Sequence, residues 1–358
     1  VKIAVVVGTR PEIVKMAPVV RACHTRGVTC LLLHSGQHYS DNMDGVFFRE
    51  LGLPTPDVNL EVGSGTQVYQ IGAIVTGMEP ILAREAPDVV LVEGDTNTVL
   101  AAALAAQKMG IVVGHVEAGL RSYDRTMPEE INRILTDHLS DHLFAPTEHS
   151  RRILLGEGVA DARIAVTGNT VVDEVLLQRE RAKDPGRLAR FGVESGRFAL
   201  ATVHRAENTD HPTRLRGIFE GLAGAARALD LPVLAALHPR TTKRLESLGL
   251  SVDGAVRTLP PLGYLDFLGL HAEAALTLTD SGGLQEEACC LHVPCVTLRD
   301  NTERPESVEV GANRLAGADP AHIVEAARAM AGRARDWSNP FGDGRSGLRI
   351  VDRLLGRD

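Results

Sequence analysis

A chain of 358 residues has room for two domains of ordinary size, and 44% hydrophobic with 23% charged residues excludes a disordered polymer. The formal net charge of −8 argues against a general binder of nucleic acid or anionic membrane, although a local cluster of Arg and His can still attract a small anion. No apolar run approaches the ~20 residues that span a bilayer.

Five cysteines (Cys23, Cys30, Cys289, Cys290, Cys295) show neither CxxC nor zinc spacing, and no signal-peptide pattern precedes the first strand. The expectation is a cytoplasmic protein with reduced, mostly buried thiols.

Short β-branched runs at residues 2–7, 29–34, 88–92, 112–116 and 142–145 predict buried strands. Helical patterns lie between them at 11–26, 67–85, 96–108 and 129–139. The join at 167–184 reads as helical after Asn169, an ordered connector and not a loose linker. The cycle then restarts, with strands at 198–204, 232–238, 256–259, 275–279 and 294–298. Strands alternating with helices imply parallel βαβ units, so the fold class is α/β, with two Rossmann-like doubly wound halves facing across a cleft.

In open α/β sheets, ligands collect beyond the carboxyl ends of the strands. The unusual polar residues of this chain fall there. Gly8-Thr9-Arg10-Pro11 follows the first strand, with Thr9 as a helix cap and Pro11 at a first helical position. Arg10 at that helix start would attract a diphosphate, and Lys15 lies one turn further along. GxGxxG is absent from this turn and GxxxxGK[ST] from the whole chain, which argues against a nicotinamide oxidoreductase and a P-loop enzyme.

Asp95 and Glu117 end neighbouring predicted strands, and Glu129 opens a helix. Carboxylates in a partly desolvated site acquire raised and split proton affinities, as acid–base chemistry near neutral pH requires. Taken singly, Glu129 also reads as a first-turn helix charge and Asp95 as a cap. His204-Arg205 ends one strand of the second half, and His238-Pro239-Arg240 repeats the arrangement in the adjacent unit, which points to a polyanion site. No HExxH pair occurs among the thirteen histidines, which argues against a metal.

The stretch Thr279-Asp280-Ser281-Gly282-Gly283 leads into a Glu-rich helix carrying Glu287. Ser281 is placed as its N-cap, the glycines allow close ligand approach, and the helix N-terminus suits a phosphate. Glu287 would accept from a ribose. Arg304, extended before Pro305, would reach the same phosphate, the competing reading being an internal Glu–Arg pair.

Taken together, these motifs resemble the non-hydrolysing UDP-N-acetylglucosamine 2-epimerase family. The matching stretches are GTRPEIVKMAP at 8–18, SGQHY at 35–39, VEGDTNTVLA at 92–101, GHVEAGLRS at 114–122 and MPEEINR at 127–133. They continue with TGNTVVD at 167–173, TVHRAEN at 202–208, TDSGGLQEEA at 279–288 and RDNTERPE at 299–306. The resemblance implies a GT-B fold: an N-terminal Rossmann-like domain over 1–170, a C-terminal UDP-binding domain over 171–336, and a terminal segment, 337–358, whose helix packs back on the first domain. It further implies a UDP-sugar in the interdomain cleft, no cofactor, no metal and a homodimer.

By motif match, the resemblance makes Asp95, Glu117 and Glu129 the proton-transfer set, without saying which of them takes the C2 proton. His204 matches a diphosphate contact that assists departure of UDP. Arg10, Ser281, Gly282, Gly283, Glu287 and Arg304 match UDP-binding positions, and Lys15, Arg205 and His238 join the substrate-binding set. The implied reaction interconverts UDP-GlcNAc and UDP-ManNAc by eliminating UDP to a 2-acetamidoglucal and adding it back.

Three departures stand out. Many bacterial members carry His in place of Glu93, and some carry Gly-His-Arg-Arg-Glu where this chain has Val203-His204-Arg205-Ala206-Glu207. Gln37-His38 is kept, but Tyr39-Ser40-Asp41 follows and no Arg lies between Glu50 and Ile81, so activation by a second UDP-GlcNAc is not carried over. The rival readings are a hydrolysing 2-epimerase, a GT-B glycosyltransferase, a 2-epimerase of another UDP-acetamido sugar, and a UDP-sugar sensor. Retention of Asp95, Glu117, Glu129 and His204 argues against the sensor.

Overall fold

Continuous apolar runs such as Ile3–Val7 and Val89–Val92 are buried on both faces, as strands inside a parallel sheet must be. In the computed structural model, which describes residues 1–37, 41–250, 252 and 254–357, these runs build two separate parallel sheets. His38, Tyr39 and Ser40, within the Gln-His stretch, lie outside the described residues.

The first unit comprises Val1–Glu174 and Phe341–Asp358. Its elements run β1 (Lys2–Val7), α1 (Arg10–Arg26), β2 (Thr29–His34), α2 (Asp41–Glu50), β3 (Val58–Asn59), α3 (Gln67–Glu85) and β4 (Val89–Glu93). They continue with α4 (Asn97–Lys108), β5 (Val112–Val116), α5 (Pro128–Leu139), β6 (His142–Ala145), α6 (Glu148–Gly156), β7 (Ile164–Val166) and α7 (Thr170–Ala182). The strand order is β3-β2-β1-β4-β5-β6-β7, all parallel. Chain direction across the sheet reverses between β1 and β4, so a crevice opens at their carboxyl ends.

The second unit, Val175–Pro340, begins within α7. It contains α8 (Pro185–Arg190), β8 (Ala199–Thr202), α9 (Ala206–Thr209), α10 (Pro212–Leu229), β9 (Val233–Ala236), α11 (Pro239–Ser247) and β10 (Val256–Leu259). Then follow α12 (Tyr264–Glu273), β11 (Leu276–Thr279), α13 (Gly282–Leu291), β12 (Cys295–Thr297), α14 (Pro305–Glu309), β13 (Asn313–Leu315) and α15 (Pro320–Ala331). The order β10-β9-β8-β11-β12-β13 is again parallel, with its reversal between β8 and β11. Both units are Rossmann-like, and the chain has the GT-B class of fold. No helix among the described residues is long and apolar enough to cross a membrane.

Several expected elements differ at their edges. The strand expected at 198–204 stops at Thr202, because the His204 N–H leaves the ladder to donate to Asp280 at 3.0 and 3.1 Å. The strand at 232–238 shortens to Val233–Ala236, and His238 becomes the N-cap of α11. Thr9 and Ser281 stand at N-cap positions, yet neither side chain caps its helix. The Thr9 hydroxyl donates to Glu12 instead, and at Ser281 it is the backbone N–H that is engaged, by Thr279 Oγ1.

The last helix, α16 (Ser346–Leu354), belongs to the first unit and lies against α1. Asp173 accepts from the N–H groups of Ser346 and Gly347 at 3.1 and 2.8 Å, occupying donors that a helix start leaves open. Arg26 holds Asp352 through two hydrogen bonds of 2.6 Å. Gly347 permits the close crossing, since a Cβ there would lie 2.7 Å from the backbone C and O of Pro18. Gly347→Ala is therefore expected to push the two helices apart and cost roughly 1–3 kcal/mol, the range for overpacking. A thermal melt unchanged from the wild type would contradict this contact.

Candidate active site

Both candidate clusters sit at the reversal points, where the sheets leave their strand ends open. In the first unit, the turn after β1 is fixed by Glu12. This carboxylate is 2% exposed and accepts from the Gly8 N–H at 2.6 Å, the Thr9 hydroxyl at 3.0 Å and the Thr96 hydroxyl at 2.6 Å. Glu12 thereby joins the β1 turn to the β4 turn that carries Asp95. Burial pushes its carboxyl up to about 7 against the pull of those three donors, with the charge of Asp95 adding to the rise.

Asp95 is held from α5. Arg133 donates to its Oδ2 at 2.6 Å, and Asn132 donates to its backbone carbonyl at 2.9 Å. Arg133 also holds Glu130, which accepts from Ser122 and from the Tyr123 N–H. The MPEEINR stretch is thus the brace of Asp95. Glu129 is half-buried in the first turn of that helix.

Glu117 follows β5 in a left-handed conformation, φ 69°. Such a backbone is strained in any residue but glycine and persists only where surrounding contacts fix it. Here Lys15 donates to both carboxylate oxygens at 2.8 Å, and Asn169 donates to Oε1 at 2.7 Å. Behind it, His115 bridges the Asp137 carboxylate at 2.7 Å and the Gly94 carbonyl at 2.8 Å. Burial acts to raise Asp137, but His115 and Arg121 outweigh it and hold the group below its ordinary range. The His, Glu, Gly and Arg of GHVEAGLRS therefore serve one fixed turn.

Glu93, the last residue of β4, faces the same lysine, with Oε1 3.0 Å from Lys15 Nζ as an ion pair and not an aligned hydrogen bond. Burial drives its carboxyl well above the usual range, Lys15 opposes this and Glu117 reinforces it. Arg10 begins α1 with its guanidinium 5.3 Å from the centre of the Phe47 ring.

In the second unit, fully buried Asp280 at the end of β11 organises the turn after β8. It accepts from the His204 and Arg205 N–H groups and from Asn208, and lies 3.1 Å from His204 Nδ1. Burial raises its proton affinity, but His204 and these donors outweigh it and keep it below the ordinary range. With Nδ1 so engaged, Nε2 is the nitrogen of the half-exposed His204 ring that a ligand can meet. His238 is exposed one strand further from the reversal, its Nδ1 accepting from the Arg240 N–H at 3.2 Å.

Ser281, Gly282 and Gly283 form the start of α13. The absent Cβ of Gly282 makes room for Arg304, since a Cβ would lie 2.5 Å from its Nη1. Arg304 is also 3.4 Å from both Glu286 and Glu303, so the internal Glu–Arg contact is present. On the same helix, Glu287 Oε2 has no hydrogen-bond partner among the described residues, and buried His271 stands 3.6 Å away. Among the described residues no three His, Cys, Asp or Glu side chains are grouped to hold a metal ion.

Sequence reasoning passed over Glu12, Glu93, Asn169, Asp280 and His271 as site residues. Glu93 and Asp280 had a readable signal, a carboxylate at the end of an apolar run. Asn169 and His271 had none, because their partners are distant in the chain.

The Glu12 geometry has a consequence for stability. A carboxyl raised in the fold from 4.5 to about 7 stabilises the native state fully below pH 4.5 and loses that contribution as pH climbs through about 7. The stability of the wild type relative to Glu12→Gln should fall by about 3 kcal/mol between pH ~4 and pH ~8. Denaturant unfolding of both proteins across that range measures it, and a gap independent of pH would contradict the assignment.

Known proteins resemble this chain along nearly its whole length. The family model described as UDP-N-acetylglucosamine 2-epimerase matches residues 21–355. The UDP-N-acetylglucosamine 2-epimerase of Methanocaldococcus jannaschii is 50% identical over 98% of each chain. Its crystal structure in complex with UDP-GlcNAc and UDP superposes with a TM-score of 0.95, covering 100% of both chains. A UDP-2,3-diacetamido-2,3-dideoxy-D-glucuronate 2-epimerase of Pseudomonas aeruginosa is 43% identical over 99% of each. This chain belongs to the UDP-N-acetylglucosamine 2-epimerase family.

Proposed function

We propose that the protein is a non-hydrolysing UDP-GlcNAc 2-epimerase that interconverts UDP-GlcNAc and UDP-ManNAc. The observation that carries this reading is the pair of strand-end carboxylates, Asp95 and Glu117, each held by a cation, Arg133 or Lys15, at a sheet reversal. The relationship to an enzyme seen with UDP-GlcNAc supports the substrate.

In the first step a carboxylate of the set Asp95, Glu117 and Glu129 takes the C2 proton while the C1–O bond breaks. The bonding pair of that bond leaves with UDP, and the C2–H pair becomes the C1=C2 double bond of a 2-acetamidoglucal. A UDP oxygen then re-forms the bond to C1, and an acid delivers a proton to the opposite face of C2. Two faces require two proton-transfer groups, which is why several fixed carboxylates serve where one would not.

Departure of UDP needs positive charge and N–H donors where the diphosphate charge grows. His204, Arg205, Ser281, Gly282, Gly283 and Arg304 of the second unit fill that role in this proposal, with Glu287 accepting from the ribose. Arg10 adds a cation from the first unit, Lys15 acts by holding Glu117, and His238 lines the same strand ends as His204. The P. aeruginosa relative supports a second reading, in which the substrate is another UDP-2-acetamido sugar.

Proton NMR of the protein with UDP-GlcNAc in D₂O, without added metal or nucleotide cofactor, tests the proposal. The expected product is UDP-ManNAc carrying deuterium at C2. Free ManNAc with UDP would make the enzyme hydrolysing, and absence of any exchange would overturn UDP-GlcNAc as the substrate.

A further inference from the structure

Three charged side chains from three different elements meet in the first unit: Lys15 of α1, Glu93 at the end of β4 and Glu117 after β5. The side chains of both carboxylates are almost fully buried, 1% and 4% exposed, and that of Lys15 is 10% exposed. One buried ammonium faces two carboxyl groups, Glu93 at 3.0 Å and Glu117 at 2.8 Å from the same nitrogen, which brings the two acids together around a single cation. Among the described residues Lys15 and Glu117 are the charged groups that act on Glu93, and Asn169, which donates to Glu117, is neutral. The neighbouring acids Glu12 and Asp95 are satisfied elsewhere, by Thr96 and Arg133.

If both carboxyls were ionised, a desolvated cluster would carry a net negative charge with one cation between two anions. Like charges at such range do not both ionise in a buried site, and one proton is retained between them. The ion pairs decide which group is the anion. Glu117 receives two hydrogen bonds from Lys15 and one from Asn169, whereas Lys15 meets Glu93 Oε1 in an ion pair that is not an aligned hydrogen bond.

We propose that Glu93 is a positioning residue for Glu117: in its protonated form it donates its O–H to the Glu117 carboxylate and, with Lys15, fixes the direction and proton affinity of that group. The proposal rests on Glu117 serving proton transfer in the epimerisation. Burial, which favours the neutral acid at Glu93, acts in the same sense. The pair then titrates as a unit, and loss of the shared proton at high pH turns the balanced cluster into an anionic one. Glu93 touches no substrate and acts through Glu117.

Infrared spectroscopy of the substrate-free protein tests the shared proton without any reference to activity. Beside the band that Glu12 contributes near neutral pH, the wild type should show a second buried protonated-carboxyl carbonyl band that is missing in Glu93→Gln. It should also be missing in Glu117→Gln, where Lys15 has only Glu93 left to neutralise and that group ionises. Retention of that second band in either variant overturns the proposal, and each variant stands as a test if the other fails to fold.

The pH profile of epimerisation then tests the role. The Glu93→Gln amide keeps an N–H donor that cannot titrate, so the alkaline limb of kcat should move upward or vanish while the plateau falls severalfold. Glu93→Leu, with no donor, should lose at least a further tenfold. Coincident profiles for the wild type and Glu93→Gln, or equal rates for the Gln and Leu variants, overturn the role. A protein inactive on UDP-GlcNAc would remove the functional reading and leave the infrared result standing.

Discussion

The Lys15 ammonium, 2.8 Å from both oxygens of Glu117 and 3.0 Å from Glu93, is the contact on which the first unit's strand ends depend. Taking these charges out of water costs several kcal/mol per ion, and only tight mutual geometry offsets it. That requirement brings the start of α1, the ends of β4 and β5 and the turn before α7 to one point. It also explains the backbone of Glu117, whose left-handed φ of 69° carries strain of about 1–3 kcal/mol. The strain directs a carboxylate that an ordinary strand end would leave free to rotate.

Both units solve the same problem at their sheet reversals. A buried acid on one side of each reversal braces the turn on the other. In the first unit Glu12 after β1 receives the Thr96 hydroxyl from beyond β4. In the second, Asp280 after β11 receives the His204 and Arg205 N–H groups from beyond β8. The braces differ in state: burial dominates at Glu12 and raises it to about 7, whereas His204 and the surrounding donors dominate at Asp280 and lower it. Under the proposed reaction, the first unit keeps groups whose protons can move and the second keeps a fixed site for a diphosphate.

Much of the architecture was legible because parallel strands buried on both faces read as unbroken apolar runs, and polar residues at their ends read as a site. The strands β3, β7 and β13, of two or three residues each, were not legible, since so short a run carries no period. Asp95, Glu117 and His204 stood out by position. What the positions did not reveal was who holds whom. Lys15 and Glu117 are separated by 102 residues, and the Asn169–Glu117 contact spans 52, so no local pattern could announce either pair. Arg304 shows the reverse case, where a Glu–Arg contact predicted as the plain alternative is present beside the start of α13.

Proton transfer by fixed carboxylates and reversible departure of UDP form one mechanism only if the C1–O bond truly breaks. Positional isotope exchange measures that bond directly. UDP-GlcNAc labelled with ¹⁸O in the bridge between C1 and phosphorus is incubated with the enzyme and recovered. The account predicts that label moves into non-bridging phosphate positions as epimerisation proceeds, because free UDP rotates before re-adding. Epimerisation with every label still in the bridge would contradict it.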